Sequence, residues 1–313
     1  MTDKLPGTDS SESAVQDLEA SITLSYANHS RLSEWDRLVY PVISRRSGGL
    51  SLGINLNPDK RCNFDCVYCQ VDRSVEIPLA EPSLQQLEQE LRHWLGAVSA
   101  SGYRGYPLRD IGLAGDGEPT TVRILPQVLQ LLLDLKREFA LPETVKLVLF
   151  TNATGLDRKD LQPLWQPFYQ ASGEVWCKLD FWDAQSLQEL NRTSVSFDRL
   201  VEKIIRFGCQ HPLVIQSCFF NWGVHPDSHS LGSQQQLEQG YPGYVALVQR
   251  LQVAGVWLKK IQAYTLARQP AEAKAHPWSD ADMDCLVDCL RQHLDVPVEL
   301  FYETGLESDK VGK

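Results

Sequence analysis

Residues 145–152 read VKLVLFTN, a nearly continuous apolar run that ends in two polar residues. A strand of this kind must be covered on both faces, which restricts it to the inside of a parallel sheet flanked by helices. Five further segments have strand character: SLGINLN (51–57), RDIGLAG (109–115), EVWCKLDF (174–181), PLVIQSCFF (212–220) and VWLKKIQAY (256–264). Helical patterns separate them. Ser83 and Gln86 form a capping pair ahead of a stripe at Leu84, Leu87, Leu91 and Leu95. VRILPQVLQLLLDLKREF (122–139) is a second helix, with Pro126 tolerable only in its first turn. Weaker helical character follows at 157–169. FDRLVEKIIRF (197–207) is a helix with Gly208 as its expected C-cap, and residues 244–253 and 282–294 complete the set.

Six strands, five of them followed by helical segments, predict an α/β chain of parallel βα units: a partial (βα)6 TIM-like barrel. Such units carry their chemistry on the loops after the C-terminal ends of the strands. Residues 1–22 read as a disordered acidic tail, 23–270 as the barrel, and 271–313 as a C-terminal helix and tail packed on it. The glutamine-rich segment at 228–243 reads as an exposed insertion or loop, with His225 and His229 solvated beside it.

The loop after the first strand contains CNFDCVYCQ, with Cys62, Cys66 and Cys69 in eight residues. Eight cysteines in a chain of 313 residues without a signal-peptide core argue against a disulfide framework and for a cytoplasmic protein with reduced thiols. Loop neighbours such as Pro58, Asp59, Asn63 and Asp65 leave little core for three buried thiols to fill. Structural zinc wants four closed ligands, usually as paired short spacings, and no second pair or nearby histidine is present. A cubane iron–sulfur cluster held by three thiolates leaves one iron open to a small molecule.

Cys62, Cys66, Tyr68 and Cys69 in the pattern Cys-x3-Cys-x-Tyr-Cys resemble the signature of the radical S-adenosylmethionine (radical SAM) enzymes. The wider stretch SRRSGGLSLGINLNPDKRCNFDCVYC (44–69) is similar to one branch of them, iron–sulfur oxidoreductases related to wybutosine-type tRNA enzymes. The resemblance implies a radical SAM core with a 4Fe-4S cluster on the three cysteines and S-adenosylmethionine on the open iron. One-electron cleavage of the cofactor, fed by a reductant such as flavodoxin or ferredoxin, would yield a 5′-deoxyadenosyl radical that abstracts hydrogen from substrate. It also places Tyr68 beside the adenine. LAGDGEPT (113–120) resembles the Gly-Gly-Glu motif, so Gly115, Asp116, Gly117 and Glu118 are expected to serve the methionine end of the cofactor, with Asp116 departing from the usual small residue.

Asn152, Lys178 and Asp180 stand at the ends of later strands. Alternation sends Lys178 and Asp180 to one side, where the lysine complements the cofactor carboxylate or the two simply form a buried pair. Gln216, Ser217, Gln262 and Tyr264 can face the same cavity. TLARQPAE (265–272) resembles the branch's Arg-Pro-Pro-Ala-Glu element, with Gln269 replacing a proline, and makes Arg268 and Glu272 candidates near the substrate, with a surface ion pair as the alternative.

Cys177, Cys209 and Cys218 are expected to pack in apolar segments. Cys285 and Cys289 fall opposite the apolar stripe of the last helix and are expected to hold no second cluster. The net charge is −10, of which the first twenty residues carry −4. That balance disfavours a tRNA substrate without removing it, since it leaves room for a local basic patch such as one around Arg45 and Arg46. No apolar run reaches the length of a membrane span. The competing reading is a non-catalytic zinc or iron–sulfur protein that binds a partner or carries electrons.

Overall fold

The computed structural model describes residues 37–44, 46–74, 78, 81–98, 103, 105–222, 231–268 and 270–302, with backbone only over 231–241. The N-terminal tail, Arg45, His225, His229 and Gln269 lie outside the described residues.

Strand β1 (Val39–Ser44) forms an antiparallel hairpin with β2 (Gly49–Ile54), pairing Val39 with Ile54 and Ser44 with Gly49. From β2 onward the sheet is parallel and keeps chain order. It runs through β3 (Leu108–Leu113), β4 (Lys146–Thr151), β5 (Gly173–Lys178) and β6 (Leu213–Cys218). A short β7 (Phe220–Trp222) stands apart, so β8 (Leu258–Tyr264) is the next strand of the sheet. β9 (Ala275–Pro277) pairs with β7, and β10 (Val298–Phe301) adds an edge parallel to β8. The sheet order is therefore β1-β2-β3-β4-β5-β6-β8-β10, a curled half-barrel of eight strands. All six predicted strands are present; β1 and β10 flank them.

Among the described residues the α-helices are α1 (Leu84–Val98), α2 (Leu125–Glu138), α3 (Gln162–Gln170), α4 (Ala184–Asn191), α5 (Phe197–Gly208), α6 (Leu231–Val253) and α7 (Asp280–His293). Ser83 Oγ accepts from the Gln86 N–H at 3.3 Å, and Pro126 falls in the first turn of α2. The outward residues of β4, Leu147 and Leu149, join the main core with Leu129 and Leu132 of α2. Its inward residues, Val148 and Phe150, pack with Trp176 and Val214 inside the sheet. Coverage on both faces is what the apolar run of β4 requires.

The inner face turns polar toward the strand ends. Lys178, Gln216, Gln262 and Glu299 occupy successive register positions on β5, β6, β8 and β10.

Four expectations change. Residues 231–243 belong to α6 rather than to a loop; Pro242 is accommodated in the helix, and glutamine is itself a good helix former. α4 carries no apolar periodicity strong enough to read, yet it opens on a capping box between Asp183 and Ser186. Gly208 is the last residue of α5 rather than its cap, and a Cβ there would meet Val256 Cγ1 at 2.4 Å, so close packing is what it serves. Cys209 is exposed, as the residue that follows the helix, while Cys177 and Cys218 are buried.

Gly173 opens β5 where a Cβ would lie 2.4 Å from the Phe168 carbonyl oxygen. Because backbone must move to admit it, Gly173→Ala is expected to lower stability by about 2 kcal/mol in urea unfolding, with an unchanged m value.

Candidate active site

Three loops at the C-terminal ends of β2, β3 and β4 converge with the ends of β5 and α4 on one cavity of about 220 Å³. Cys62, Cys66 and Cys69 line it, together with Tyr68, Gly115, Asp116, Gly117, Glu118, Asn152, Lys178 and Asp180. Every residue that the sequence assigned to the cluster or the cofactor thus faces one space.

The cysteine loop is held from several sides. The N–H groups of Asp65 and Val67 donate to the carbonyls of Asn191 and Leu190 at 3.0 and 2.9 Å, so the C-terminal end of α4 supports the loop. Asn191 Nδ2 donates to Cys66 Sγ and to Tyr68 Oη, both at 3.2 Å. Arg73 donates to Cys69 Sγ at 3.0 Å, to the Lys60 carbonyl at 2.9 Å and to the Asp116 carbonyl at 2.7 Å. Two of the three sulfurs therefore receive N–H groups, a donor set that suits thiolates bound to iron. Burial raises the Cys62 and Cys66 thiols, the latter to about 12, while Tyr68 and Asn191 oppose the shift at Cys66 through hydrogen bonds. Burial pulls Arg73 down, but Cys69, with Cys62 and Cys66, more than offsets it.

The glycines of the Gly115–Glu118 turn lie against the cysteine loop. A Cβ at Gly117 would fall 1.9 Å from the Arg61 carbonyl oxygen, and one at Gly115 would fall 2.3 Å from Asn55 Oδ1. Asn55 stitches the two loops together: its Nδ2 donates to Asp116 Oδ2 at 2.8 Å, and its Oδ1 accepts from the N–H groups of Asp116 and Asn57 at 3.0 Å. Glu118 is 3% exposed and accepts from Thr120, from Thr151 Oγ1 at 2.6 Å and from the Asn152 N–H at 2.7 Å, which binds the ends of β3 and β4 to each other. Burial raises its pKa and these donors oppose the shift. Asn152 Nδ2 in turn donates to Asn63 Oδ1 at 2.8 Å.

Asp180 is the hub on the other wall. It accepts from Tyr68 Oη at 2.5 Å, from Lys178 Nζ at 3.0 Å and from the Cys218 N–H at 2.5 Å. Lys178 also bonds the Tyr264 hydroxyl and lies 5.2 Å from the centre of the Tyr68 ring. Burial lowers the Lys178 pKa, and Asp180 and then Tyr264 reverse this, so the ammonium stays charged.

The substrate-side residues are distributed differently. Gln216 and Gln262 are buried and bonded to each other at 2.8 Å. The Arg268 carbonyl accepts from Gln70 at 3.5 Å, and Glu272 forms a two-pronged ion pair with Arg192, itself 3.5 Å from Asp65. The Ala271 N–H donates to the Cys69 carbonyl at 2.9 Å. The segment after β8 thus closes on the cysteine loop. Cys285 is exposed, and Cys289, half-buried, packs against the core with its sulfur 3.7 Å from His293 Nδ1. Arg73, Asn55 and Asn191 had no signal in the sequence, since each acts through a partner on a different segment.

The structure thus sets a three-cysteine loop at the C-terminal end of the first parallel strand of a curled sheet whose parallel strands keep chain order. No protein-family model matches the chain. In sequence it is similar to the UPF0026 protein MJ1312 of Methanocaldococcus jannaschii, 29% identical over 172 residues, which cover 53% of this chain and 48% of that protein. It is also similar to a UPF0026 protein of Helicobacter pylori, 26% identical over 171 residues covering 53% of this chain and 50% of that one. The chain thus spans about half the length of the curated relatives it matches. Among solved structures it is similar to TYW1 with a lysine–pyruvate adduct bound, at 12% identity and a TM-score of 0.48 over 91% of this chain and 89% of that one. A mutant of spore photoproduct lyase gives 11% identity and a TM-score of 0.49 over 77% and 74%. Among the described residues no helix is long and apolar enough to cross a membrane.

Gly117→Ala forces the turn away from the Arg61 carbonyl and so displaces the cysteine loop. The variant is expected to lose about 2 kcal/mol of stability and more than about half of the iron taken up on anaerobic reconstitution, read by denaturation and by metal analysis.

Proposed function

We propose that this protein is a radical SAM enzyme in which Cys62, Cys66 and Cys69 hold a 4Fe-4S cluster and the adjoining cavity takes S-adenosylmethionine. The observation that carries this reading is the placement of three thiols on one cavity, with the N–H groups of Arg73 and Asn191 aimed at two of them. When bound, the cluster and cofactor supply one-electron cleavage of the sulfonium–carbon bond to a 5′-deoxyadenosyl radical.

The remaining roles belong to the chain. Gly115 and Gly117 allow their turn to lie against the cysteine loop, which brings backbone of 115–118 to the cavity wall where the methionine end of the cofactor would sit. Lys178 is charged and partly exposed to the cavity, a counter-ion for a carboxylate. Tyr68 is pinned by Asp180 and Asn191, so its ring is fixed in orientation for a planar base. Asn152 joins the turn at Glu118 to the cysteine loop. A one-electron reductant of the flavodoxin or ferredoxin kind would deliver electrons to the cluster.

A mononuclear zinc site is less well supported. Structural zinc wants four closed ligands, and among the described residues the cavity is lined by three thiols and no histidine.

Anaerobic reconstitution followed by reduction in the presence of S-adenosylmethionine is expected to yield 5′-deoxyadenosine, measured by chromatography. Cys62→Ala, Cys66→Ala and Cys69→Ala should each lower iron content and product at least about tenfold, and Cys285→Ala should leave both unchanged. A protein that binds zinc stoichiometrically and forms no 5′-deoxyadenosine would end the reading.

A further inference from the structure

One cation inside the half-barrel has no role in holding the cluster or its loop. Arg46 belongs to the turn that joins β1 to β2, at the N-terminal end of β2. That turn folds toward the inner face of the sheet: Ser47 and Ser51 both approach the buried Asp110 of β3, Ser51 Oγ donating to it at 2.5 Å. From there the Arg46 guanidinium reaches the Tyr264 ring at the C-terminal end of β8, with its carbon 4.2 Å from the ring centre. Lys178 Nζ lies 4.6 Å from the centre of the same ring. Burial raises the pKa of both Cys218 and Tyr264, and Lys178 and Arg46 both pull against it, so the two cations act on the same buried groups.

Among the described residues the local charges do not balance. Asp180 already serves Lys178, Tyr68 and the Cys218 N–H. Glu299, the next carboxylate along the inner row, is held by Lys260 at 2.8 Å. Among the described residues Arg46 meets no carboxylate, only the ring of Tyr264. A half-buried guanidinium that meets no carboxylate among the described residues is costly and invites an anion. Its planar fork suits the paired oxygens of a carboxylate or a phosphate. The amides of Gln216 and Gln262, two positions along the inner face from Cys218 and Tyr264, supply uncharged polar neighbours.

We propose that Arg46 binds an anionic group of the substrate, a carboxylate or a phosphate, beside the Tyr264 ring whose hydroxyl Lys178 holds. The inference rests on the radical SAM reading for calling the ligand a substrate. Lys178 lies on the side of the cysteine loop, near the Tyr68 ring, and is placed for the cofactor carboxylate. Arg46 enters from the opposite end of the strands, so its anion is a second one.

The test uses the full chain, reconstituted anaerobically, and calorimetric titration with inorganic phosphate and, separately, malonate, each with S-adenosylmethionine present. At least one anion is expected to bind, and which one identifies the substrate group. Arg46→Gln should weaken that binding by about tenfold or more, and Arg46→Lys by less, because the charge remains and the fork is lost. Arg46→Met keeps the apolar stem on Tyr264 and replaces the glutamine variant should that one fail to fold. Affinity for S-adenosylmethionine should stay within about twofold in all three. The proposal is overturned if neither anion binds the wild type at tens of millimolar, roughly the weakest affinity a charge-assisted pair would give. It is also overturned if Arg46→Gln binds as tightly as wild type, or loses cofactor affinity by the same factor as anion affinity. Absence of 5′-deoxyadenosine from the wild type would instead remove the enzymatic reading, and the anion titration would stand by itself.

Discussion

The buried carboxylate of Asp180 is the constraint on which the site depends. An ionised carboxylate withdrawn from water costs several kcal/mol unless charges and hydrogen-bond donors surround it. Here the donors come from three different places: the Tyr68 hydroxyl of the cysteine loop, the Lys178 ammonium of β5 and the Cys218 N–H of β6. Removing any of them leaves a charge without full compensation, so the loop that carries the cysteines is tied to the strands by the penalty for letting go. Glu118 does the corresponding work between β3 and β4, with the Thr151 hydroxyl and the Asn152 N–H as its donors. Two buried acids thus fix the relative positions of four strand ends and a loop.

Inner and outer faces of the sheet divide the labour. Outward residues such as Leu52, Leu113, Leu149 and Ile215 are fully buried under helices and supply the apolar area that stabilises the domain. Inward residues begin apolar, at Val148, Trp176 and Val214, and become polar one step further along each strand, at Lys178, Gln216 and Gln262. The strands can afford that polarity only because each group finds a partner across the sheet.

The sequence was most readable where the pattern is local. The two-sided apolar run of β4, the stripe of α1 and the cysteine spacing depend on neighbours a few residues away, and all three are where they were expected. β1 and β10 were not, because short edge strands such as VELF carry too few residues to show alternation. Arg73, Asn55 and Asn191 escaped for a different reason: their partners Cys69, Asp116 and Cys66 become neighbours only through loop geometry or through chain that returns from far away. Glu272 shows the converse. Its motif left a place near the substrate and a surface ion pair both open, and its carboxylate is engaged by Arg192, a residue whose left-handed backbone at the end of α4 no pattern foretold.

Among the described residues the curled sheet ends at β1 and β10 without closing, so strand pairing alone does not fix how far it curls. In this chain the residues after β8 reach back to those after β2, directly through the Ala271 N–H on the Cys69 carbonyl and Gln70 on the Arg268 carbonyl, and from Glu272 to Asp65 by way of Arg192 at the end of α4. These contacts work as a hoop around the rim, doing by cross-chain stitching what a closed barrel does by strand pairing. Curvature and access to the thiols are then one property: anything that springs the hoop also opens the mouth, and anything that seats firmly in the mouth keeps the sheet curved.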